Sequence, residues 1–590
     1  MVKKLLKSVR EYKTTSILTS VFVCLEVIIE VFLPFLMARL IDSIYAEELS
    51  QIFKLGLFLV LSAFVSLLFG VLSGRCCAKA SSGFAKNLRK DMYYKIQNYS
   101  FSNIDKFSSA SLVTRLTTDV SNVQHSYMMI IRIAVRSPLM FIFSLIMAFN
   151  INVKIGLVFL CVIPVLAIGL VLIILKAHGL FERVFKKYDN LNASIQENVR
   201  GMRVVKAYVR EDHEKEKFDT ACKDVYNDFV KAEKIIALNA PLMNFCMYLT
   251  NLLVAGFGAM LIVQTFGGIG ADGVYIWGEL STGDLASLVT YSTQILSSLM
   301  MLSMVLVMIT LSLASGKRIV EVLEEVPDIQ NPKNPVLKVK DGSVDFKNVS
   351  FKYSKTADKM ALKGVNLSIK SGETIGILGG TGSSKTTLVN LISRLYDVTS
   401  GKVMVGKVDV RDYDIETLRN EVAVVLQKNV LFSGTIKENL KWGDESATDE
   451  EIIRACKLAE AHDFISSFPD GYETVLDQGG ANVSGGQKQR LCIARAILKK
   501  PKILIFDDST SAVDTKTDAK IRKALAEEIP NTTKIIIAQR ISSIQDADKI
   551  IVLDGGEIVS MGTHEELLAS SSIYREVYES QNKVGDSDGE

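Results

Sequence analysis

Thr374–Asn390 reads TIGILGGTGSSKTTLVN, and the rest of the chain is placed by what this stretch requires. Ile375 to Leu378 is a short apolar run, as in a buried parallel strand; Gly379 to Ser384 is a tight loop, and Thr386 onward reads as a helix. The spacing matches the phosphate-loop pattern G-x-x-x-x-G-K-[ST] at every fixed position but one. After the turn at Gly379, the backbone N–H groups of Gly380, Thr381, Gly382, Ser383, Ser384, Lys385, Thr386 and Thr387 would wrap a triphosphate at the positive end of the helix. Lys385 would reach the β- and γ-phosphates and the Thr386 hydroxyl would hold Mg²⁺. The exception is Ser384, where the pattern has Gly. Glycine accepts an unusual φ and a close backbone approach, so a serine there is expected to cost affinity or shift the phosphate without forbidding binding. A chance glycine turn would match the loop alone, without the further motifs downstream of it.

At 590 residues the chain is too long for one core and divides into several domains. A mean hydropathy of +0.24 with 23% charged residues requires apolar residues to be concentrated somewhere, and they are concentrated in the first half. The net charge of +3 leaves no basic excess for nucleic acid. The eight cysteines show no C-x-x-C spacing and no histidine cluster, which indicates neither a metal site nor a disulfide framework. The N-terminal MVKKLLKSVREYK is basic and leads into an apolar run, as a signal peptide does. That run continues past Leu36 without a small-residue cleavage site, so it reads as a basic interfacial helix entering a retained span.

Six apolar segments, at 16–38, 55–74, 131–150, 155–175, 241–266 and 283–311, each reach the roughly 20 residues that a bilayer crossing needs. Lys and Arg crowd the N-terminus, 75–136 and 176–234, whereas the connection between the fifth and sixth spans has Asp272 and Glu279 and no base. This places both termini in the cytoplasm. Buried helices of a large soluble protein would not alternate with correctly signed connections. The two long internal connections keep apolar residues at helical spacing among charges, as expected for spans that continue well into the cytoplasm. The predicted organisation is therefore a membrane α-helical domain of six transmembrane helices with long cytoplasmic extensions over 1–323, a linker over 324–339 containing NPKNP, an α/β nucleotide-binding domain over 340–580, and an acidic tail over 581–590.

In the second domain VDFKNVSFKY alternates like an exposed antiparallel strand, whereas TIGILGG, KILIFDD and KIIIAQR are short apolar runs that end in polar residues. Such runs are parallel strands carrying a site at their C-terminal ends. Asp507 would bind Mg²⁺ through water, and Asp508 stands where an acid would orient or deprotonate an attacking water. Between these motifs lies NVSGGQKQRLCIARAIL, whose Ser484 reads as a helix N-cap.

The string Ser484, Gly485, Gly486, Gln487, taken with the phosphate loop and the acid pair, resembles the ATP-binding cassette, and the six preceding spans resemble the exporter half-transporters of that superfamily. The resemblance covers nearly the whole chain. It implies ATP and Mg²⁺ as ligands, Tyr353 stacked on adenine, Gln427 contacting Mg²⁺ and sensing the membrane domain, and Asp514 at a dimer interface. It further implies coupling helices near TRLTTDV (Thr114 to Val120) and ENVRGMRVVKAYVRED (Glu197 to Asp212).

Two departures stand out beside Ser384. Where the family has Glu this chain has Asp508, one methylene shorter; that withdraws the carboxylate by about 1.5 Å, and a misplacement of about 1 Å can cost ~100-fold in rate. Where the family has His in A-H-R, this chain has Gln539, which can donate a hydrogen bond but cannot accept and return a proton. The signature string is intact apart from Val483 in place of Leu, and in the family it serves the partner's ATP. The pattern resembles the degenerate-site subunit of bacterial heterodimeric multidrug exporters. Its implied partners are a second half-transporter, the bilayer and a lipophilic small molecule. The rival readings are a homodimeric lipid or peptide exporter and a non-transporting regulatory ATP-binding subunit. An importer fits less well, because its spans and cassette usually lie on separate chains.

In the membrane half, Glu26 and Glu30 stand one turn apart on the first span, where carboxylates are costly and face the interior. Counted from the span ends, Glu26 is level with Arg136, while Glu30 is expected to have no base at its depth and to meet water, a proton or a cationic substrate. The Met-rich run SSLMMLSMVLVM in span six can line an adaptable cavity or simply face lipid.

Overall fold

A computed structural model describes residues 1–268, 276–354, 359–508 and 513–585. Asp272, Ser509 to Ala512 and the last five residues of the acidic tail lie outside the described residues. The chain divides into two compact units, one of Met1–Gln97 and Ser109–Glu325, the other of Asn98–Ser108 and Val326–Glu590.

The first unit is helical. Lys13–Tyr45, Leu49–Gln97, Val120–Ile151, Val153–Ala207, Asn239–Thr265 and Thr282–Glu324 hold the six apolar segments, the fifth ending one residue past its helix, and among the described residues six helices are long and apolar enough to cross a membrane. Leu49–Gln97 and Val153–Ala207 have 49 and 55 residues. At about 1.5 Å per residue these are more than twice the roughly 30 Å of a hydrocarbon core, so the extensions read from the sequence are continuous with the spans. Apolar side chains cover their outer surfaces: Phe53, Phe64 and Leu67 on the second helix are more than half exposed.

The N-terminal residues form a short helix, Val2–Leu5, and a tighter turn that breaks at Arg10 (φ +40°) before the first span begins. Arg10 and Ser8 both donate to Asp91 at 2.7 Å, fixing this elbow to the second helix. TRLTTDV does not form a separate helix: Arg115–Asp119 is a π-turn that runs into Val120–Ile151. Asp119 is wholly buried there and accepts from Arg318 and Ser315.

In the second unit a six-stranded sheet runs in the order Glu557–Gly562, Lys549–Asp554, Thr374–Leu378, Thr533–Ile537, Ile503–Asp507, Val422–Val425. All neighbours are parallel except the outermost pair, Lys549–Asp554 with Glu557–Gly562. Ile375, Ile377, Ile503, Ile505, Ile535 and Ile537 are buried, as parallel strands covered on both faces require. A second sheet is antiparallel in the order Leu362–Ile369, Val344–Phe351, Ser400–Val405, Val408–Asp409. Its alternating strand, Val344–Phe351, is paired on both sides and buries Val344, Phe346, Val349 and Phe351. The segment containing NPKNP packs on this unit: the Val336 amide donates to the Asp412 carbonyl and the Asp414 amide to the Val336 carbonyl.

Candidate functional site

Parallel register brings the chemistry together. Ile377, Ile537 and Asp507 are level across three adjacent strands, so the phosphate loop, the acid pair and the segment leading to Gln539 leave the sheet at one edge. Gly379 to Gly382, Ser384 to Thr387, Gln427, Asp507, Asp508 and Gln539 line one cavity of about 530 Å³.

Lys385 folds back over the loop and donates to the carbonyls of Gly379 (2.7 Å) and Gly380 (2.8 Å) and to Ser383 Oγ (3.3 Å). Burial holds its pKa below the usual lysine range, opposed by Asp508 and Asp507. Ser384 caps the helix Lys385–Ile392 in the left-handed region at φ +73°, ψ +26°, with no side-chain cap bond. The missing glycine therefore has a conformational cost, of about 1–2 kcal/mol for a side chain in this region.

The Thr386 hydroxyl donates to Asp507 Oδ1 at 2.9 Å. Burial pushes the Asp507 carboxyl above its usual range, Asp508 adds to this, and the Thr386 hydroxyl and Lys385 oppose it. A buried acid beside a hydroxyl, in a cavity that Gln427 also lines, offers hard oxygen donors of the kind that Mg²⁺ takes. When bound, the ion would be held at Thr386 and Asp507 and would offset phosphate charge.

Asp508 is also left-handed, at φ +48°. Its Oδ2 accepts from Gln539 Nε2 at 2.7 Å and from Gln427 Nε2 at 3.3 Å. Two amides thus converge on one oxygen of this acid. Gln539 is itself anchored, its carbonyl accepting from Gln581 at 2.7 Å.

Tyr353 is half exposed, its ring packing edge-on against Phe351 and Tyr396 at 4.9 and 5.2 Å and its hydroxyl 2.7 Å from Thr387 Oγ1. The Tyr396 hydroxyl donates to Asp105 at 2.9 Å, within the segment Asn98–Ser108 that packs as part of this unit. That segment contains the helix Phe101–Phe107; Ser102 donates to Asp328 at 2.8 Å and Asn103 to the Val326 carbonyl at 3.3 Å. None of the sequence motifs points to it. Its signal is Ser100 with Asn103, a capping box, followed by Phe101, Ile104 and Phe107 at helical spacing. The other segment picked from sequence ends the Val153–Ala207 helix and turns at Tyr208 to Arg210, where Tyr208 and Val209 are 74% and 81% exposed.

Across the unit Ser484 caps the helix Gly485–Leu498, its hydroxyl accepting from the Gln487 amide while Gln487 Oε1 accepts from the Ser484 amide. Ser484 and Gly485 are exposed. Arg490, one turn further, lies 4.7 Å over the Phe464 ring and donates to the Glu460 carbonyl, which stiffens the helix. Asp514 caps Thr515–Glu528, and the Thr517 hydroxyl and amide hold its carboxyl below the usual range.

In the helical unit Arg136 donates to Glu26 Oε1 (2.5 Å) and, with its other terminal nitrogen, to both oxygens of Glu30 (2.9 and 2.6 Å). The pairing with Glu26 is as expected from depth. The expectation that Glu30 has no base is overturned: Glu26 and Glu30 are one turn apart, and one guanidinium fork spans both.

Residues 16–299 match the model of the ABC transporter transmembrane region, and residues 362–511 the model of the ABC transporter domain. Along its length the chain is 37% identical to the uncharacterized ABC transporter ATP-binding protein YfiB of Bacillus subtilis, with 98% of each chain covered. It is 30% identical to an ATP-dependent lipid A-core flippase of Syntrophus aciditrophicus, covering 100% of this chain and 96% of that one. A bacterial Atm1-family ABC exporter solved with ATP bound shares the fold with a TM-score of 0.81 at 24% identity, over 97% and 98% of the two chains.

Proposed function

The chain belongs to the ABC transporter family, and from that premise we propose that it is one subunit of a heterodimeric exporter whose own ATP site hydrolyses slowly. The observation that carries this is the convergence of Gln539 and Gln427 on Asp508 Oδ2. A base that must accept a proton is instead an acceptor for two amides, that of the anchored Gln539 and that of Gln427, on a side chain too short to advance toward the phosphate. Ser384 at φ +73° adds strain to the loop that would hold that phosphate.

The signature helix supports the other half of the reading. Ser484 and Gly485 are exposed on a helix that is well capped and well packed, and they complete the partner's ATP site. ATP binding then closes the two cassettes, and hydrolysis at the partner's site resets them. Thr386, Asp507 and Gln427 would hold Mg²⁺ at this chain's site, and Tyr353 would stack on adenine. Both termini and the cassette lie in the cytoplasm on the distribution of Lys and Arg. We assign coupling to the helix Phe101–Phe107 and to the exposed turn at Tyr208 to Arg210 rather than to Thr114–Val120, which is interior to a helix. The substrate is a lipophilic small molecule.

The flippase relative favours a second reading, a homodimeric lipid exporter in which Asp508 suffices. Turnover separates the two. Purified alone, the chain is expected to hydrolyse ATP poorly and to gain turnover on pairing with a half-transporter that carries Glu and His at the positions of Asp508 and Gln539. Full turnover by the chain alone would establish the homodimer.

A further inference from the structure

We infer that Arg132, on the third span helix, forms an anion-recognising subsite for an amphiphile with an acidic headgroup of the phosphate monoester class. The inference rests on the exporter reading for its purpose but on different residues for its argument. Arg132 and Arg136 stand one turn apart on Val120–Ile151 and line the same cavity, of about 580 Å³. Their states differ. Arg136 is saturated by Glu26 and Glu30. Arg132 is partly buried and has no ion pair or hydrogen bond among the described residues.

The four charges in this neighbourhood, Arg132, Arg136, Glu26 and Glu30, sum to zero, but both carboxylates are engaged by Arg136, which leaves the Arg132 guanidinium on the cavity wall without a carboxylate of its own. The second helix is shaped to admit these groups. A Cβ at Gly70 would stand 3.2 Å from Glu26 Oε1, and one at Gly74 3.8 Å from a terminal nitrogen of Arg132, so two glycines one turn apart let both heads pack against backbone. Glu26 is 8% exposed, and its Oε2 is buried without a hydrogen-bond partner. An unpaired guanidinium takes acidic oxygens, and an unpaired carboxylate oxygen takes a hydroxyl; a phosphate monoester in its singly protonated form carries both. Gln294, Thr293 and Ser297 add neutral polar groups, and Met129, Met140 and Met301 supply adaptable apolar wall for an acyl body. With both termini cytoplasmic, Arg132 lies at the cytoplasmic end of its span, the level at which an inner-leaflet headgroup would enter.

The test is equilibrium binding of radiolabelled dodecyl phosphate, and separately of neutral dodecyl glucoside, to the full chain in phosphatidylcholine nanodiscs. Dodecyl phosphate should bind more tightly than the glucoside, and Arg132→Gln should weaken it about tenfold, the scale of one lost charged hydrogen bond, with glucoside binding unchanged. Arg132→Lys keeps the charge and loses the fork, and should retain most of the preference. ATP binding to the cassette in the same samples reports folding. Equal weakening of both ligands, or no change in phosphate binding, would overturn the subsite, as would a Lys variant that folds and shows no preference. ATP-driven movement of dodecyl phosphate across vesicles, measured separately, tests the exporter reading: binding without movement removes that reading and leaves the subsite standing.

Discussion

The phosphate-loop side of the cassette and its signature helix are built to different standards. At the loop, Ser384 and Asp508 sit in left-handed backbone and Gln539 and Gln427 share one carboxylate oxygen. At the signature, Ser484 and Gln487 satisfy each other's amides in a reciprocal cap and Arg490 is fixed over Phe464. Local rules are broken where this chain would do chemistry for itself and kept where it would serve a partner. On the proposed reading one cassette contributes to two sites, and the difference is what separate requirements on the two halves would leave.

The largest expected effect comes from breaking the signature. Gly486→Asp places a carboxylate where the partner's γ-phosphate would approach, and turnover of the heterodimer should fall on the order of 100-fold or more, the loss typical of removing a transition-state contact. Lys385→Ala should instead shorten nucleotide retention at the slow site and leave most turnover. Equal losses from the two changes would erase the asymmetry. Next in size is repair of the loop side. Asp508→Glu with Gln539→His restores the longer acid and a titratable partner, and hydrolysis at this site should rise by ~10–100-fold, read by single-site trapping with the other site disabled. The left-handed φ of Asp508 limits the gain, because Glu tolerates that region less well than Asp.

Two smaller changes set the two sides directly against each other. Ser384→Gly removes a side chain from φ +73° and should raise cassette stability by about 1 kcal/mol. Ser484→Ala removes the cap and should lower it by about 1 kcal/mol. Denaturant unfolding of the two variants should move in opposite directions, and a shared direction would show that the loop at Ser384 is not strained.

Much of this was legible from sequence because it is local. The parallel strands are short apolar runs, and the phosphate-loop pattern marks position 384 as a glycine site before any φ is known. Gln539 and Asp508 were legible as departures. Their meeting at 2.7 Å needed the register of two adjacent strands. The helix Phe101–Phe107 was missed because its partners, Asp328 and Tyr396, are more than 200 residues away, and helical spacing says nothing about distant contacts. Glu30 was misjudged because depth was counted along helix axes. A guanidinium reaches several ångströms along such an axis, and its two terminal nitrogens divide between carboxylates on successive turns.

The central claim, that this chain holds ATP and hydrolyses it slowly while its signature serves faster hydrolysis at the partner's site, is tested most directly by counting nucleotide. In the paired assembly supplied with radiolabelled ATP and then quenched through successive turnovers, the account predicts one intact ATP retained per assembly at this chain's site while ADP is released from the other. Conversion of both bound nucleotides to ADP at the same rate would contradict it.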